Sequence, residues 1–283
     1  MKPFVDINTI NKLFFFFGLF IVNFAFPQNS YNSKSQNFYY KLVYKPDTLS
    51  EQRFEEHFIL TIANGKSLFT DVVNKKADSM ETNLREYYRK NPSATYSFKG
   101  VPRARFSYYV EKDLVREQVI HYYDKIGAKH FMYKENPDLK WKLYDDIKVI
   151  GGNVCQKASV YIYGRSFTAW FAKDIPINDG PYKFYNLPGL ILEVYDEQKD
   201  YHFSLIHFNP NDEQDSAIVI PSYRLHKLTD TEKEKFIKGK YSYDISIIDR
   251  LKNSMIGDSL TPERINDIRE RLKRNNNPLE LKP

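Results

Sequence analysis

The sequence predicts a mainly β protein of the β-rich α+β kind: a curved antiparallel sheet or partly open barrel with a few peripheral helices. Three observations lead there. Tyr and Phe number 22 and 21, and aromatics make up 16% of the chain; these residue types suit a pleated, half-buried surface. Much of the chain divides into short runs in which apolar and polar residues alternate, the period of a half-buried strand. Turn signals punctuate those runs at Lys45-Pro46-Asp47-Thr48, Asn64-Gly65, Lys125-Ile126-Gly127, Asn136-Pro137-Asp138 and Gly164-Arg165.

Taken in order, Phe38 to Tyr44 is strand-like, and the stretch from Phe54 to Ile62 alternates from Glu56 on. Asn64-Gly65 connects it to a third strand over Ser67–Val72, giving the start of an antiparallel meander. Lys75 to Lys90 fits an amphipathic helix stopped by Asn91-Pro92, with Arg and Lys on a solvated face. From Arg103 the alternation returns, with Ala104, Phe106, Tyr108 and Val110 on one face. Val115 to Tyr123, His130 to Tyr133, Trp141 to Tyr144 and Ile147 to Ile150 read as further strands, the last two flanking a turn. Ala158 to Tyr163 and Thr168 to Ala172 follow. Leu190 to Tyr195 and Tyr201 to Phe208 form a hairpin. Between Ala172 and Leu190 the density of Pro and Gly predicts a structured crossover loop leading to a central strand. Thr231 is read as the N-cap of a short helix reaching Lys240. Thr261, Pro262 and Glu263 start a helix over about 262–273.

The N-terminus carries an address. Lys2 and Lys12 precede a 14-residue apolar run, Leu13 to Phe26, followed by polar Gln28-Asn29-Ser30. That run is short for a bilayer span and has the layout of a secretory signal peptide over 1–28. The expectation is an exported protein, periplasmic, outer-membrane associated or extracellular, with no transmembrane segment in the mature chain. Residues 29–283 read as one β-rich domain with a C-terminal helical extension. Cys155 is the single cysteine, so no intramolecular disulfide is expected. The net charge of +6 is dispersed and interrupted by acids, which argues against nucleic acid as a partner.

Leu187-Pro188-Gly189-Leu190-Ile191 resembles the signature of the GLPGLI family, exported proteins of Bacteroidota-type bacteria. Cys155-Gln156-Lys157-Ala158, Gly164-Arg165, Ala169-Trp170-Phe171, Asp174-Ile175-Pro176-Ile177 and Gly180-Pro181-Tyr182-Lys183-Phe184 look like the family's block in the same order. Lys66 to Phe69 resembles its early strand, and Asn277-Pro278-Leu279-Glu280-Leu281 its usual ending. Asn186 stands where the family has its first glycine; Asn tolerates positive φ, so a left-handed backbone is expected there. The resemblance implies an envelope setting and a β-rich fold. It implies no catalytic residue, cofactor or substrate.

The residues themselves point away from an enzyme. The stretch Trp170, Asp174, Pro176, Gly180, Pro181, Asn186, Leu187, Pro188, Gly189, Leu190 and Ile191 reads first as backbone geometry. Trp170, Tyr182, Arg165 and Glu193 are candidates for ligand binding, with Glu193 on the solvent face, paired with Arg165 or lining a cleft. Cys155, His121 and His130 are metal-ligand candidates for copper or zinc, and Asp174, Asp179 and Asp196 bracket the loop as a candidate calcium set. A hydrolase would have to assemble His202 or His207 with Asp196 and a serine in space, since Ser166 lacks the nucleophile-elbow pattern. No cofactor is indicated. The leading expectation is a non-enzymatic binding or accessory module for a peptide, a lipid or an outer-membrane partner. The alternatives are metal handling and an unrecognised hydrolase.

Overall fold

A computed structural model describes residues 35–113, 119–208, 219–254 and 259–282. The signal peptide expected over 1–28 and the strand residue Val115 lie outside them. The described chain is mainly β: β1 (Gln36–Tyr44), β2 (Phe54–Ala63), β3 (Lys66–Asp71), β4 (Tyr109–Asp113), β5 (Val119–Ile126), β6 (Lys129–Glu135), β7 (Lys142–Ile150), β8 (Asn153–Ile162), β9 (Arg165–Ala172), β10 (Leu190–Asp196), β11 (Tyr201–Phe208) and β12 (Thr229–Asp230). The helices are α1 (Val72–Lys90), α2 (Ser222–Leu225), α3 (Lys233–Ile245), α4 (Ile247–Lys252) and α5 (Pro262–Lys273). All twelve strands form one sheet, ordered β12-β6-β5-β4-β3-β2-β1-β11-β10-β9-β8-β7, which is not closed into a barrel.

The sheet curls strongly. Lys183 Nζ lies 3.0 Å from the hydroxyl of Tyr133 on β6 and 5.4 Å from the ring centre of Tyr163, at the β8–β9 turn. β6 and β9 stand eight positions apart in the strand order, which would be about 40 Å on a flat sheet at ~4.8 Å per strand. One ammonium can reach both only if the inner face is concave. That face carries the core: Phe58 stacks on Phe69 at 4.8 Å, Phe203 meets both edge-on, and Phe38, Leu60, Phe171, Leu192 and Val194 are fully or almost fully buried.

The loop between β9 and β10, residues 173–189, lines this concavity. β9 and β10 are antiparallel neighbours, so the loop is a long hairpin connection and not the expected crossover. β10 is an interior strand displaced from the sheet's centre. The backbone N–H groups of Leu190 and Ile191 donate to Ile175 and Asp179 carbonyls at 3.0 Å, fastening the loop to the strand it precedes. Asn186 has φ +69°, the left-handed conformation its side-chain type predicts. Gly189 has φ +151°, and a Cβ there would run into the Ala172 carbonyl, 2.7 Å from its carbon.

Several local expectations are corrected. The alternation over 103–108 is loop, and the strand begins at Tyr109. Its partner β3 turns into α1 after Asp71, so β3–β4 pairing stops at Thr70↔Tyr109 and the earlier residues are held by side chains instead, the Ser107 and Tyr108 carbonyls accepting from Asn74, Arg224 and Thr70. The two strands expected over 141–150 are one, β7; Asp145-Asp146, which looks like a turn, is absorbed as a register irregularity between Leu143 and Ile147. The sheet is not wholly antiparallel, because Thr229–Asp230 adds to β6 in parallel. That recruitment places Glu232, not Thr231, at the N-cap of α3. α1 begins at Val72 because the Asp71 carboxylate accepts from Val73 and Asn74 N–H. α5 matches its expected bounds, with Thr261 accepting from Arg264 N–H and Pro262 in the first turn.

Gly189→Ala combines a strained φ with a backbone collision. It is expected to cost on the order of 3 kcal/mol, read as a lower urea midpoint, whereas Asn186→Gly leaves the midpoint within the error of the measurement.

Candidate functional site

Three chemically distinct regions surround the β9–β10 loop. The first is interior and ionic. Lys183, fully buried, pairs with Glu135 and with Glu280 at 2.7 Å; Lys233 pairs with the same two carboxylates at 2.9 and 2.8 Å. The four side chains form a ring of alternating charge. Tyr122, Tyr133, Tyr163 and Tyr182 surround Lys183 with ring centres 4.7–5.4 Å from its nitrogen, a cation–π cage. Burial pushes the Glu280 carboxyl up, but Lys183 and Lys233 outweigh it and hold the group below the usual carboxylate range. Burial likewise opposes the charge on Lys233, and Glu280 and Glu135 raise its pKa overall. A second buried pair joins Lys112 of β4 to Asp179 in the loop, with Lys112 also donating to the Gly180 carbonyl at 2.7 Å.

Residues 277–281 complete this interior. Arg165 Nη1 donates to Asp196 at 2.8 Å, and its remaining nitrogens reach Asn277 Oδ1 and the carbonyls of Pro278 and Leu279. Tyr182 donates to Glu280 at 2.6 Å and Tyr201 to the Asn277 carbonyl at 2.7 Å. Arg165 and Tyr182, two of the four binding candidates, are therefore committed to holding the tail and are buried.

The second region is the opposite face of the sheet, where Trp170 and Glu193 meet. Glu193 takes Lys148 from β7 on one oxygen and His202 Nε2 from β11 on the other, at 2.7 Å. Its partner is thus not Arg165. Lys148 Nζ sits 4.4 Å over the Trp170 ring, and the indole N–H donates to Tyr195 at 3.4 Å. Burial alone would raise the Glu193 pKa, yet His202 and Lys148 bring it below the ordinary value. Asp196 is engaged by Arg165 and by Tyr201 N–H, so His202 is oriented by Glu193 instead. No serine or cysteine is hydrogen-bonded to His202 among the described residues.

The metal candidates are not brought together. Cys155 lies on β8, His121 on β5 and His130 on β6, and no group of three or more His, Cys, Asp or Glu that could hold a metal forms among the described residues. Cys155 is fully buried, and burial pushes its thiol up to about 11. Of the calcium set, Asp179 and Asp196 are taken by Lys112 and Arg165; Asp174 is exposed, as are Pro176 and Pro188.

The third region is an open cleft of about 420 Å³ between the loop and the β6–β7 connection, lined by Asn136, Pro137, Asp138, Leu139, Asn178, Tyr185 and Asn186. Its size is that of a small-ligand site, and its lining is more polar than most. Trp141 Nε1 donates to the Tyr185 carbonyl at 2.8 Å, and Asn186 N–H to the Asn178 carbonyl at 3.2 Å, which sets the wall rigidly. The carboxamides of Asn178 and Asn186 bond nothing else among the described residues and are exposed. Each offers donors and an acceptor. Sequence reasoning placed Asn186 here for its backbone alone and missed Asn178 and Tyr185. Their signal was position within the loop, which becomes informative only once the β6–β7 connection faces it.

These features define a class: an open twelve-stranded sheet whose concave face holds an ordered loop and a short tail. A family model described as a protein of unknown function (Porph_ging) matches residues 163–193, the span of β9, the loop and most of β10. No match to a curated protein is found. Two solved structures of PNGF-II, in C2 and P21 space groups, are similar over 75% of this chain with TM-scores of 0.49 and 0.47 and identities of 13% and 12%. The chain spans about a third of their length, 33% and 34%.

The ring of charge makes a signed prediction. The folded Glu280 pKa lies below its unfolded value, so the ionised group stabilises the fold fully above about pH 4.3 and loses that contribution as pH falls through the folded pKa. Glu280→Gln is expected to cost about 3 kcal/mol at neutral pH. Chemical denaturation at pH 7 and pH 3 checks it: the gap to wild type narrows in acid.

Proposed function

We propose that this chain is an exported protein of the cell envelope that acts as a non-enzymatic binding module, with an extended peptide segment of its partner as ligand in the cleft. The observation that carries the reading is the row of unengaged carboxamides on Asn178 and Asn186 beside Tyr185. A peptide backbone alternates N–H donors and C=O acceptors, and a side-chain amide satisfies one of each. Tyr185 supplies an apolar surface and a hydroxyl that donates to Asn136 at 3.3 Å. The envelope address is supported by the positively charged, apolar N-terminal run and by the resemblance of the 155–191 block to the GLPGLI family. The matched family of unknown function is compatible with both.

Native mass spectrometry of the protein purified from its own envelope tests this. Wild type carries a peptide or protein partner, and Asn178→Ala/Tyr185→Ala loses it at unchanged melting temperature. Wild-type protein recovered alone and empty, or a variant that keeps its partner, overturns the assignment of the cleft.

A further inference from the structure

The charge of +6 is spread along most of the chain, but one short segment is locally strongly basic. Between Arg85 and Arg105 lie Arg85, Arg89, Lys90, Lys99, Arg103 and Arg105 against a single acid, Glu86. This segment is the last turn of α1 and the loop that follows, and it projects from the sheet rather than into it: nearly every residue from Arg89 to Gly100 is exposed. It is nevertheless ordered. The Tyr88 hydroxyl donates to the Ser97 carbonyl at 2.9 Å and accepts from Ser97 N–H at 2.7 Å. Tyr96 stacks on Tyr88 at 4.2 Å, and Asn91 caps the helix through the Tyr87 and Tyr88 carbonyls.

What this rigid knob displays is the second observation. Tyr87 is 53% exposed, Tyr96 65% and Phe98 39%, three large aromatics within twelve residues, interleaved with the cations. Arg85 pairs with Glu81 and lies over the Tyr223 and Phe98 rings, Lys90 and Arg89 pair with Glu86, and Arg105 donates to Asn275 at 3.1 Å. Lys99 and Arg103 form no ion pair among the described residues. An ordinary solvated helix face carries mixed charge and no aromatics. Tyr and Phe set among Lys and Arg are the chemistry of a membrane–water interface, where rings sit at headgroup depth and cations meet anionic lipid.

We infer that the Arg85–Arg105 knob is a docking surface for an anionic lipid membrane. Aromatic rings enter the headgroup layer while Lys99 and Arg103 contact lipid phosphate. The inference does not rest on the peptide cleft, which is built from other elements, and it requires no membrane-spanning segment.

Flotation of the purified protein with phosphatidylglycerol–phosphatidylcholine vesicles tests it, with pure phosphatidylcholine vesicles as control. Wild type floats with the anionic vesicles only, and high salt releases it. Lys99→Ala/Arg103→Ala is expected to weaken binding about 30-fold, from roughly 1 kcal/mol per cation at an anionic surface. Phe98→Ser separately reduces it at unchanged charge. Thermal melts establish that both variants remain folded, and because Lys99 and Arg103 make no ion pair, the charge variant retains the wild-type fold. Equal flotation with neutral lipid, no flotation with either, or full binding by the charge variant overturns the inference. So does tight binding to soluble polyglutamate by a protein that ignores vesicles, which would identify an acidic polypeptide as the partner.

Discussion

Everything inside this protein depends on buried charges being compensated across the concave face. Lys112 and Lys183 are fully buried, and an unpaired ammonium in such a place costs several kcal/mol. Their partners come from far away in the chain: Asp179 answers β4, and Glu135 and Glu280 answer the loop. The Lys112–Asp179 and Lys183–Glu135 pairs need the sheet curled and the β9–β10 loop seated, and the pairs to Glu280 need residues 277–281 docked as well. Apolar burial supplies most of the stabilisation, but Phe and Leu pack in many arrangements. The ion ring accepts one.

The same constraint separates structural residues from those left free to bind. Arg165 and Tyr182 have the chemistry of ligand contacts, and both are consumed by the tail. Trp170 and Glu193 are drawn into a half-buried set with Lys148 and His202 on the opposite face. The exposed, uncommitted polar groups next to the loop are plainer ones, Asn178 and Asn186. In a sheet this rich in aromatics, the conspicuous residues go to packing, and small amides at the rim keep their hydrogen-bonding capacity.

The fold was legible in the sequence wherever local physics decides. Alternation located β2, apolar and aromatic runs located β1, β10 and β11, Asn64-Gly65 marked its hairpin, and Thr261-Pro262 marked α5. The left-handed backbone at Asn186 followed from residue type alone. What failed was non-local. Residues 103–108 alternate, yet pairing ends where β3 turns into a helix; Thr229–Asp230 became a strand only because β6 offered an edge. The candidate cleft was illegible for the same reason, since its two walls are about forty residues apart. Lys183, between Tyr182 and Phe184, carried a usable hint: a lone cation in an aromatic run is either exposed on a strand or caged, and here it is caged.

The clamp around Arg165 bears on how the chain reaches its native state. Its hydrogen bonds to Asn277, Pro278 and Leu279 span 112–114 residues, and Asn277 bonds the Lys45 carbonyl across 232. Closing loops of that length carries a large entropic cost, which long-range contacts repay only once they form. Until they occur, the aromatic concavity stands open with its lysines unmatched. A partly folded intermediate would expose a greasy trough, so a cell making this protein has reason to keep a chaperone at hand during that interval.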